Sequence, residues 1–268
     1  MITAGIDLGS LSVDAVILSS ENGDKGKILS YSIIPTGVDN VKTANTAMEE
    51  ALKGTDVTLH DIDFIIATGY GRVIVPFANK NITEITCHGK GAHWLTPSAR
   101  TVLDMGGQDC KVTRINSNGK AVNFVMNDKC AAGAGRSMEV MAKLVREPLE
   151  EIGELSLKSY ENPAAVSSTC VLFARSEVTG LLRKGYHKND ILAGACDALT
   201  SRILSLIGRV VLEEDLFISG GIAKNIGIVK RIEDKLGVKA IIPEEPQIVG
   251  ALGAAIFAKE TLLRTKKA

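Results

Sequence analysis

Short stretches in which apolar and polar residues alternate recur along the chain, separated by turns rich in glycine and asparagine, a pattern typical of β-strands joined by hairpins. A first α/β unit is predicted from strands at residues 4–7, 13–18, 28–34 and 63–68, with a helix at 41–53 that Asn40 caps. The first two strands are joined by a tight turn at residues 8–12. Any phosphate bound there would be held by a strand-to-strand turn, unlike the strand-to-helix turn of Rossmann and P-loop sites.

The same arrangement returns in the second half of the chain. An apolar strand ends at Asp104 and two glycines, as the first strand ends at Asp7, and the two aspartates lie 97 residues apart (104 − 7). We therefore predict two similar α/β domains that face one another. Further strands are predicted at residues 110–115, 121–126, 215–219 and 239–242, and helices at 137–146, 171–184, 191–212 (capped by Asn189 and Asp190), 229–236 and 250–263.

Length, charge and cysteine content narrow the classes of protein. The 268 residues are 45% apolar, and 31 basic residues balance 31 acidic ones, so no excess charge favours nucleic acid or an anionic membrane. No signal peptide begins the chain and no apolar run reaches the length of about 18 residues needed to span a bilayer, so we expect a cytoplasmic protein without membrane contact. The five scattered cysteines do not predict a disulfide framework.

The two Asp-x-Gly hairpins have the composition of a polyphosphate clasp. Glycine lacks the Cβ that would keep phosphate from the backbone N–H groups, so Gly9, Ser10, Gly106 and Gly107 are candidate phosphate contacts. Asp7 and Asp104 can hold Mg²⁺ through waters, because Mg²⁺ keeps much of its hydration shell and takes few carboxylates. Gln108 is a candidate to orient an attacking water.

A later strand runs into Ser219, Gly220 and Gly221, where backbone can lie against an adenosine. Asn225, on the next helix, is a candidate polar contact. Gln247, before the last helix, is a candidate for the edge of the adenine.

Two cysteines follow polar loops and precede segments with helical apolar spacing: Cys130 and Cys170. The positive end of a helix dipole favours a thiolate, and a thiolate is a good metal ligand. Two thiolates per chain are half of the set that holds a [4Fe–4S] cluster, and a twofold dimer would supply the rest. The alternative is that both are small buried apolar residues, as we expect for Cys87, Cys110 and Cys196.

Six motifs occur in the order found in one family, and together they cover nearly the whole chain. They are GIDLGS at residues 5–10, ATGYGR at 67–72, DMGGQD at 104–109, NDKCAAG at 127–133, SSTC at 167–170 and SGG at 219–221. The chain resembles the ATP-dependent activators of 2-hydroxyacyl-CoA dehydratases and the ATPase subunits of benzoyl-CoA reductases. This family lies within the sugar kinase, heat-shock chaperone and actin superfamily.

The resemblance implies duplicated actin-like, ribonuclease H-like ATPase domains around a central cleft. We place the first domain at residues 1–96, completed by a C-terminal helix at about 250–268, and the second at 97–249. It also implies that Leu11 and Ser12 belong to the nucleotide turn. Family members usually carry threonine and lysine where this chain has Leu11 and Asp14, which bears on γ-phosphate contact and on the rate of hydrolysis.

The function implied by the resemblance is ATP-driven electron transfer. A homodimer would share one [4Fe–4S] cluster held by Cys130 and Cys170 of each chain and would accept one electron from ferredoxin or flavodoxin. MgATP binding and hydrolysis would then drive the electron onto a partner iron–sulfur dehydratase or reductase. Two alternatives remain open from the sequence: a small-molecule kinase of the same superfamily without a cluster, and an ATP-sensing dimer without redox activity.

Overall fold

The computed structural model describes residues 1–21, 24–127, 134–159, 163–166 and 171–265. Its strands are β1 (Ile2–Leu8), β2 (Ser12–Ser19), β3 (Lys27–Pro35), β4 (Phe64–Thr68), β5 (Lys80–Asn81), β6 (Thr101–Met105), β7 (Cys110–Ile115), β8 (Ala121–Met126), β9 (Leu216–Ser219) and β10 (Ala240–Ile241). Its helices are α1 (Asn40–Leu52), α2 (Glu84–Leu95), α3 (Gly135–Val145), α4 (Ile152–Leu157), α5 (Val171–Arg183), α6 (Lys188–Ile207), α7 (Ile226–Leu236) and α8 (Val249–Thr265). Within these ranges, none of the helices has the length and apolarity that crossing a membrane requires.

The strands form two five-stranded sheets with the same topology, which confirms the predicted duplication. The order is β3-β2-β1-β4-β5 in one sheet and β8-β7-β6-β9-β10 in the other. In each, the central strand pairs antiparallel with the strand that follows it and parallel with the strand on its other side. The strands β1 and β6 are therefore equivalent, and their carboxyl ends carry Asp7 and Asp104.

The first sheet is covered by a helix on each face. Ala4 and Ile6 of β1 pack with α1, while Val16 and Leu18 of β2 pack with α8. Gly5 allows β1 and α8 to approach closely, since a Cβ at Gly5 would lie 1.9 Å from the carbonyl oxygen of Ala251.

The helices α2 and α8 join the two halves of the fold. Ala92 of α2 and Val249 of α8 belong to one apolar cluster with Val102 and Phe217 of the second sheet. The C-terminal helix also packs on the first sheet, although it comes last in the chain. The domain limits at residues 96 and 249 stay a proposal.

The helices α1 and α6 begin earlier than predicted, because their caps are not the residues that the sequence indicated. Asp39, not Asn40, caps α1 by accepting a hydrogen bond from the backbone N–H of Lys42. The helix α6 begins at Lys188, and the Nδ1 atom of His187 accepts from the N–H of Asn189. Asn189 and Asp190 instead bond the end of α4, through the carbonyl of Lys158 and the hydroxyl of Ser159.

Candidate active site

A cavity of about 1000 Å³ opens between the two sheets. Its lining includes residues of both hairpins, of the turn after β9 and of the segment before α8. The predicted residues among them are Asp7, Gly9, Ser10, Leu11, Ser12, Asp104, Gly106, Gly107, Gln108, Gly220, Gly221, Asn225 and Gln247. The cavity thus brings together every predicted residue of the nucleotide site, and their roles remain proposals.

The two hairpin turns have the same hydrogen bond at equivalent positions. The N–H of Gly9 donates to the carbonyl of Ser12 over 3.0 Å, and the N–H of Gly106 donates to the carbonyl of Asp109 over 2.9 Å. The turns also touch, because a Cβ at Gly107 would lie 2.4 Å from the Cγ atom of Leu11. A group bound between the turns would therefore contact both halves of the fold.

Each aspartate lies beside a glycine that leaves room for its carboxylate. A Cβ at Gly250 would lie 2.1 Å from Oδ2 of Asp7, and a Cβ at Gly220 would lie 2.8 Å from Oδ1 of Asp104. Gly250 is in the first turn of α8, so the carboxylate of Asp7 lies beside the start of that helix. Both aspartates are buried.

His88 connects the two aspartates and was not predicted as a site residue. Its Nε2 atom lies 3.6 Å from Oδ2 of Asp7 and 3.6 Å from Oδ2 of Asp104, and its Nδ1 atom lies 3.0 Å from the Oγ atom of Ser219. His88 is on α2, so one imidazole ring joins both central strands and the end of β9. For Cys87 and His88 the sequence favoured core packing and a satisfied histidine, and both residues are buried, with polar partners at both ring nitrogens of His88. What the sequence did not indicate is that two of these partners, Asp7 and Asp104, line the cavity.

The electrostatics of this group favour a charged imidazole. Burial by itself would lower the pKa of His88, but the carboxylate of Asp104, followed by that of Asp7, outweighs it, and the pKa of His88 is raised. Burial also raises the pKa of Asp104, although His88 and Lys111 act in the opposite direction.

We expect the stability of the protein to fall as pH rises above about 6.5, the ordinary pKa of histidine. A group whose pKa is raised on folding binds more protons in the native state than in the unfolded state. Its contribution to the free energy of unfolding is therefore complete below the unfolded-state pKa and is lost as pH rises through the folded-state pKa. One such group gives a slope of at most about 1.4 kcal/mol per pH unit.

Urea unfolding of the wild type and of His88→Gln at several pH values between about 6 and 8 measures this slope. This pH range lies below the range in which free cysteines titrate. The variant should have the flatter curve. Identical curves would show that the His88 ring does not carry the charge assigned to it.

Two further charged residues lie opposite the aspartates and line the cavity. Lys111 stands opposite Asp104 in the β6–β7 ladder, and its Nζ atom lies 3.9 Å from Asp104 and 2.5 Å from Asp109. Asp14 stands opposite Asp7 in the β1–β2 ladder. Burial, followed by the charge of Asp7, raises the pKa of Asp14 well above its usual range.

The residues after β9 form the other wall of the cavity. Gly220 has φ = 86°, in the left-handed region that glycine favours, and its N–H donates to the carbonyl of Pro246. A Cβ at Gly221 would lie 3.8 Å from the side-chain amide of Gln247, so these two predicted adenosine contacts are neighbours. Asn225 is the N-cap of α7, and its Oδ1 atom accepts from the N–H of Ile228 over 3.1 Å. That oxygen is therefore used in capping.

The predicted cluster ligands, Cys130 and Cys170, lie outside the described residues. Cys87, Cys110 and Cys196 are buried, as expected. Burial raises the pKa of Cys87 to about 12 and also raises the pKa values of Cys110 and Cys196. Burial thus disfavours the thiolate form of all three, which is the form that binds metals.

The second hairpin turn is bonded to the first residues of α3. The N–H of Gly135 donates to the carbonyl of Gly106 over 3.0 Å, and the N–H of Arg136 donates to the carbonyl of Gly107 over 2.8 Å. Because α3 packs against α5, a displacement of this turn reaches both helices. The Arg136 side chain pairs with Glu139 on its own helix.

The donor set and the space suit a magnesium–nucleotide complex. The cavity has the size of known ligand sites, and its glycine turns bring backbone close to it on two sides. Among the residues described, no three or more His, Cys, Asp or Glu side chains are grouped for direct metal binding. The carboxylates of Asp7 and Asp104 are of the type that Mg²⁺ takes in small number, so the donor set suits a Mg²⁺ ion carried by a nucleotide.

Comparison with known proteins identifies relatives over the full length of the chain. An activator of lactoyl-CoA dehydratase from Anaerotignum propionicum is 41% identical over 97% of this chain and 98% of its own length. Two solved structures superpose closely. One, component A of (R)-2-hydroxyglutaryl-CoA dehydratase from Acidaminococcus fermentans, has a TM-score of 0.91 and 38% identity and covers 98% of this chain and 99% of its own.

The other structure is an activator of 2-hydroxyisocaproyl-CoA dehydratase from Clostridium difficile with bound ADPNP. It has a TM-score of 0.92 and 36% identity, and it covers 100% of this chain and 97% of its own. These structures confirm the predicted actin-like architecture. The BadF/BadG/BcrA/BcrD ATPase family matches residues 4–258, and the chain therefore belongs to that family.

Proposed function

We propose that this protein is an ATPase that activates a partner dehydratase, coupling MgATP hydrolysis to one-electron transfer. The support is the set of relatives that match nearly the whole chain, among them activators of lactoyl-CoA and 2-hydroxyisocaproyl-CoA dehydratases. The acceptor would be a 2-hydroxyacyl-CoA dehydratase or a similar iron–sulfur reductase, and the donor ferredoxin or flavodoxin.

The electron carrier in this proposal is one [4Fe–4S] cluster shared by a homodimer. Cys130 and Cys170 of each chain would be its ligands, because thiolates are what such clusters take, and this assignment rests on the sequence. When bound, the cluster supplies one-electron redox chemistry. A homodimer follows, since each chain offers two of these cysteines and a cluster usually takes about four.

The nucleotide roles follow from the geometry of the cavity. Asp7 and Asp104 would hold the Mg²⁺ of MgATP through waters, with His88 keeping their carboxylates at a fixed separation. The turns at Gly9 and Gly106 would place backbone N–H groups against the phosphates. Gln108, exposed on the second turn, would orient the attacking water.

One observation carries the coupling of the two activities: the hydrogen bonds from Gly135 and Arg136 to the carbonyls of Gly106 and Gly107. They tie a phosphate-binding turn to the start of the helix that follows Cys130 in the chain. If a nucleotide binds one conformation of the turn more tightly than another, it will also favour one position of α3, which is bonded to the turn.

The test is a dehydration assay with purified components under anaerobic conditions. The assay contains the reconstituted protein, reduced ferredoxin, a 2-hydroxyacyl-CoA dehydratase and its substrate. We expect dehydration with MgATP and at least about 100-fold less with MgADPNP or without nucleotide, because only hydrolysis completes the transfer. Equal dehydration without ATP would contradict the proposal, and phosphate transfer to a small molecule by a colourless protein would support the kinase alternative.

A further inference from the structure

The two hairpins of the cleft differ at one position that carries an ionisable side chain. Asp7 faces Asp14 across the first ladder, and Asp104 faces Lys111 across the second. Both pairs are related by the same offset, since 104 − 7 and 111 − 14 are each 97. Where the second hairpin has an ammonium group beside its aspartate, the first therefore has another carboxylate.

The Lys111 ammonium contacts both carboxylates of its hairpin. Its Nζ atom lies 3.9 Å from Asp104 and 2.5 Å from Asp109. In the first hairpin, no lysine or arginine of the described residues forms an ion pair with Asp7 or Asp14. The cation nearest to Asp7 is His88, and it is shared with Asp104. Directly opposed like charges in a sheet are unfavourable, so this pair calls for a positive partner.

Asp14 lines the cavity and has one carboxylate oxygen without a hydrogen-bond partner among the described residues. Its residue exposure is only 6%, and its Oδ1 atom has no hydrogen-bond partner among the described residues. The other oxygen, Oδ2, accepts from the hydroxyl of Ser12 over 3.2 Å. Asp14 lines the cavity together with Asp7 and Ser12. A buried carboxylate oxygen without a partner is costly, and a bound cation would satisfy it.

We propose that Asp7 and Asp14 form a divalent-cation site that is occupied by Mg²⁺. In the first hairpin this ion has the position that the Lys111 ammonium has in the second. Hard cations such as Mg²⁺ bind carboxylate oxygens and keep several waters, so two carboxylates at the edge of an open cavity are a sufficient protein contribution. Both ligands belong to the protein, so this ion binds without a nucleotide. It is distinct from the Mg²⁺ that a nucleotide brings with it.

A cation here would also act on the nucleotide. It would bring a positive charge to the turn at Gly9 and Ser10, where the first hairpin otherwise offers two carboxylates to an anionic phosphate chain. The inference does not rest on the proposed function, since the site can be measured without ATP, electron donor or dehydratase.

The direct test is titration of the nucleotide-free protein, stripped of metals by a chelating resin, with Mn²⁺ as the probe and free Mn²⁺ followed by electron paramagnetic resonance. We expect one bound Mn²⁺ per chain for the wild type, competed by Mg²⁺, and an affinity at least about tenfold weaker for Asp14→Asn. Asp56→Asn, which removes an exposed carboxylate on the connection after α1, is the matched control and should bind as the wild type does.

A second measurement keeps the test decisive if Asp14→Asn folds poorly. Mg²⁺ alone should raise the Tm of the nucleotide-free wild type, because a ligand that binds only the folded state stabilises it. Asp14→Lys, which supplies a tethered ammonium in place of the ion, should show neither Mn²⁺ binding nor the Mg²⁺-dependent rise.

Two results would overturn the site. Absence of Mn²⁺ binding by the nucleotide-free wild type would do so, as would Asp14→Asn binding Mn²⁺ as tightly as the wild type. The second is expected if a proton, rather than a metal ion, neutralises Asp14. Failure of the dehydration assay would leave these measurements unaffected, so the two proposals fail separately.

Discussion

Replacement of Cys130 by serine is expected to remove nearly all bound iron and to abolish electron transfer. In the proposed dimer each cysteine position supplies two of the four ligands, so one substitution removes half of them, and a serine hydroxyl does not replace a thiolate for iron. Cys170→Ser should have the same effect. Iron and sulfide analysis of anaerobically reconstituted protein measures the loss, and the dehydration assay measures its consequence.

Cys196→Ala is the matched control, because Cys196 is a buried thiol in α6. It should keep the iron content of the wild type. The Cys130→Ser variant should still bind ADPNP, since the nucleotide cavity is formed by other residues. Full iron content in Cys130→Ser would refute the ligand assignment.

The second large effect is expected at the nucleotide. We expect Asp104→Asn to lower the rate of ATP hydrolysis by at least about 100-fold, in the range that loss of a positioned catalytic group produces. The substitution removes the carboxylate that would hold the waters of Mg²⁺, and it leaves the buried Lys111 ammonium with Asp109 alone. The measurement is kcat for phosphate release, with ADPNP affinity determined separately by calorimetry.

Loss of affinity should be the smaller of the two effects in Asp104→Asn, because most contacts to the nucleotide lie elsewhere in the cavity. Its iron content should match that of the wild type. Asp234→Asn, on the exposed side of α7, is the control for loss of one carboxylate. Hydrolysis within about threefold of wild type would show that Asp104 is not part of the catalytic machinery.

The hairpins and their duplication could be predicted because their signals are local. In each hairpin an apolar strand ends in an aspartate that is followed two residues later by a glycine, Gly9 after Asp7 and Gly106 after Asp104. The 97-residue offset then predicts equivalent strands, and the two sheets have that equivalence. The offset also relates Asp14 to Lys111, so the sequence already contained the difference in charge between the hairpins. Its meaning became clear only from the strand register, which places each of these residues opposite an aspartate.

His88 could not be found in this way, because its contacts are distant in the chain. The residue bonded to its Nδ1 atom, Ser219, lies 131 positions away, and nothing in the sequence around His88 separates it from a buried histidine of an ordinary helix. The helix starts were missed for a related reason. Asn189 and Asp190 have capping side chains, but α4 lies close enough to engage both, and this depends on tertiary packing.

If hydrolysis in the cleft drives an electron off the cluster, the cluster should be oxidised only when ATP is split, and stopped-flow mixing can follow this. Reduced protein would be mixed with the dehydratase and either MgATP or MgADPNP, while cluster absorbance is followed at about 400 nm, where oxidised iron–sulfur clusters absorb. We expect rapid oxidation of the cluster with MgATP and none on the same timescale with MgADPNP. Oxidation at equal rates with both nucleotides would contradict the coupling of hydrolysis to electron transfer.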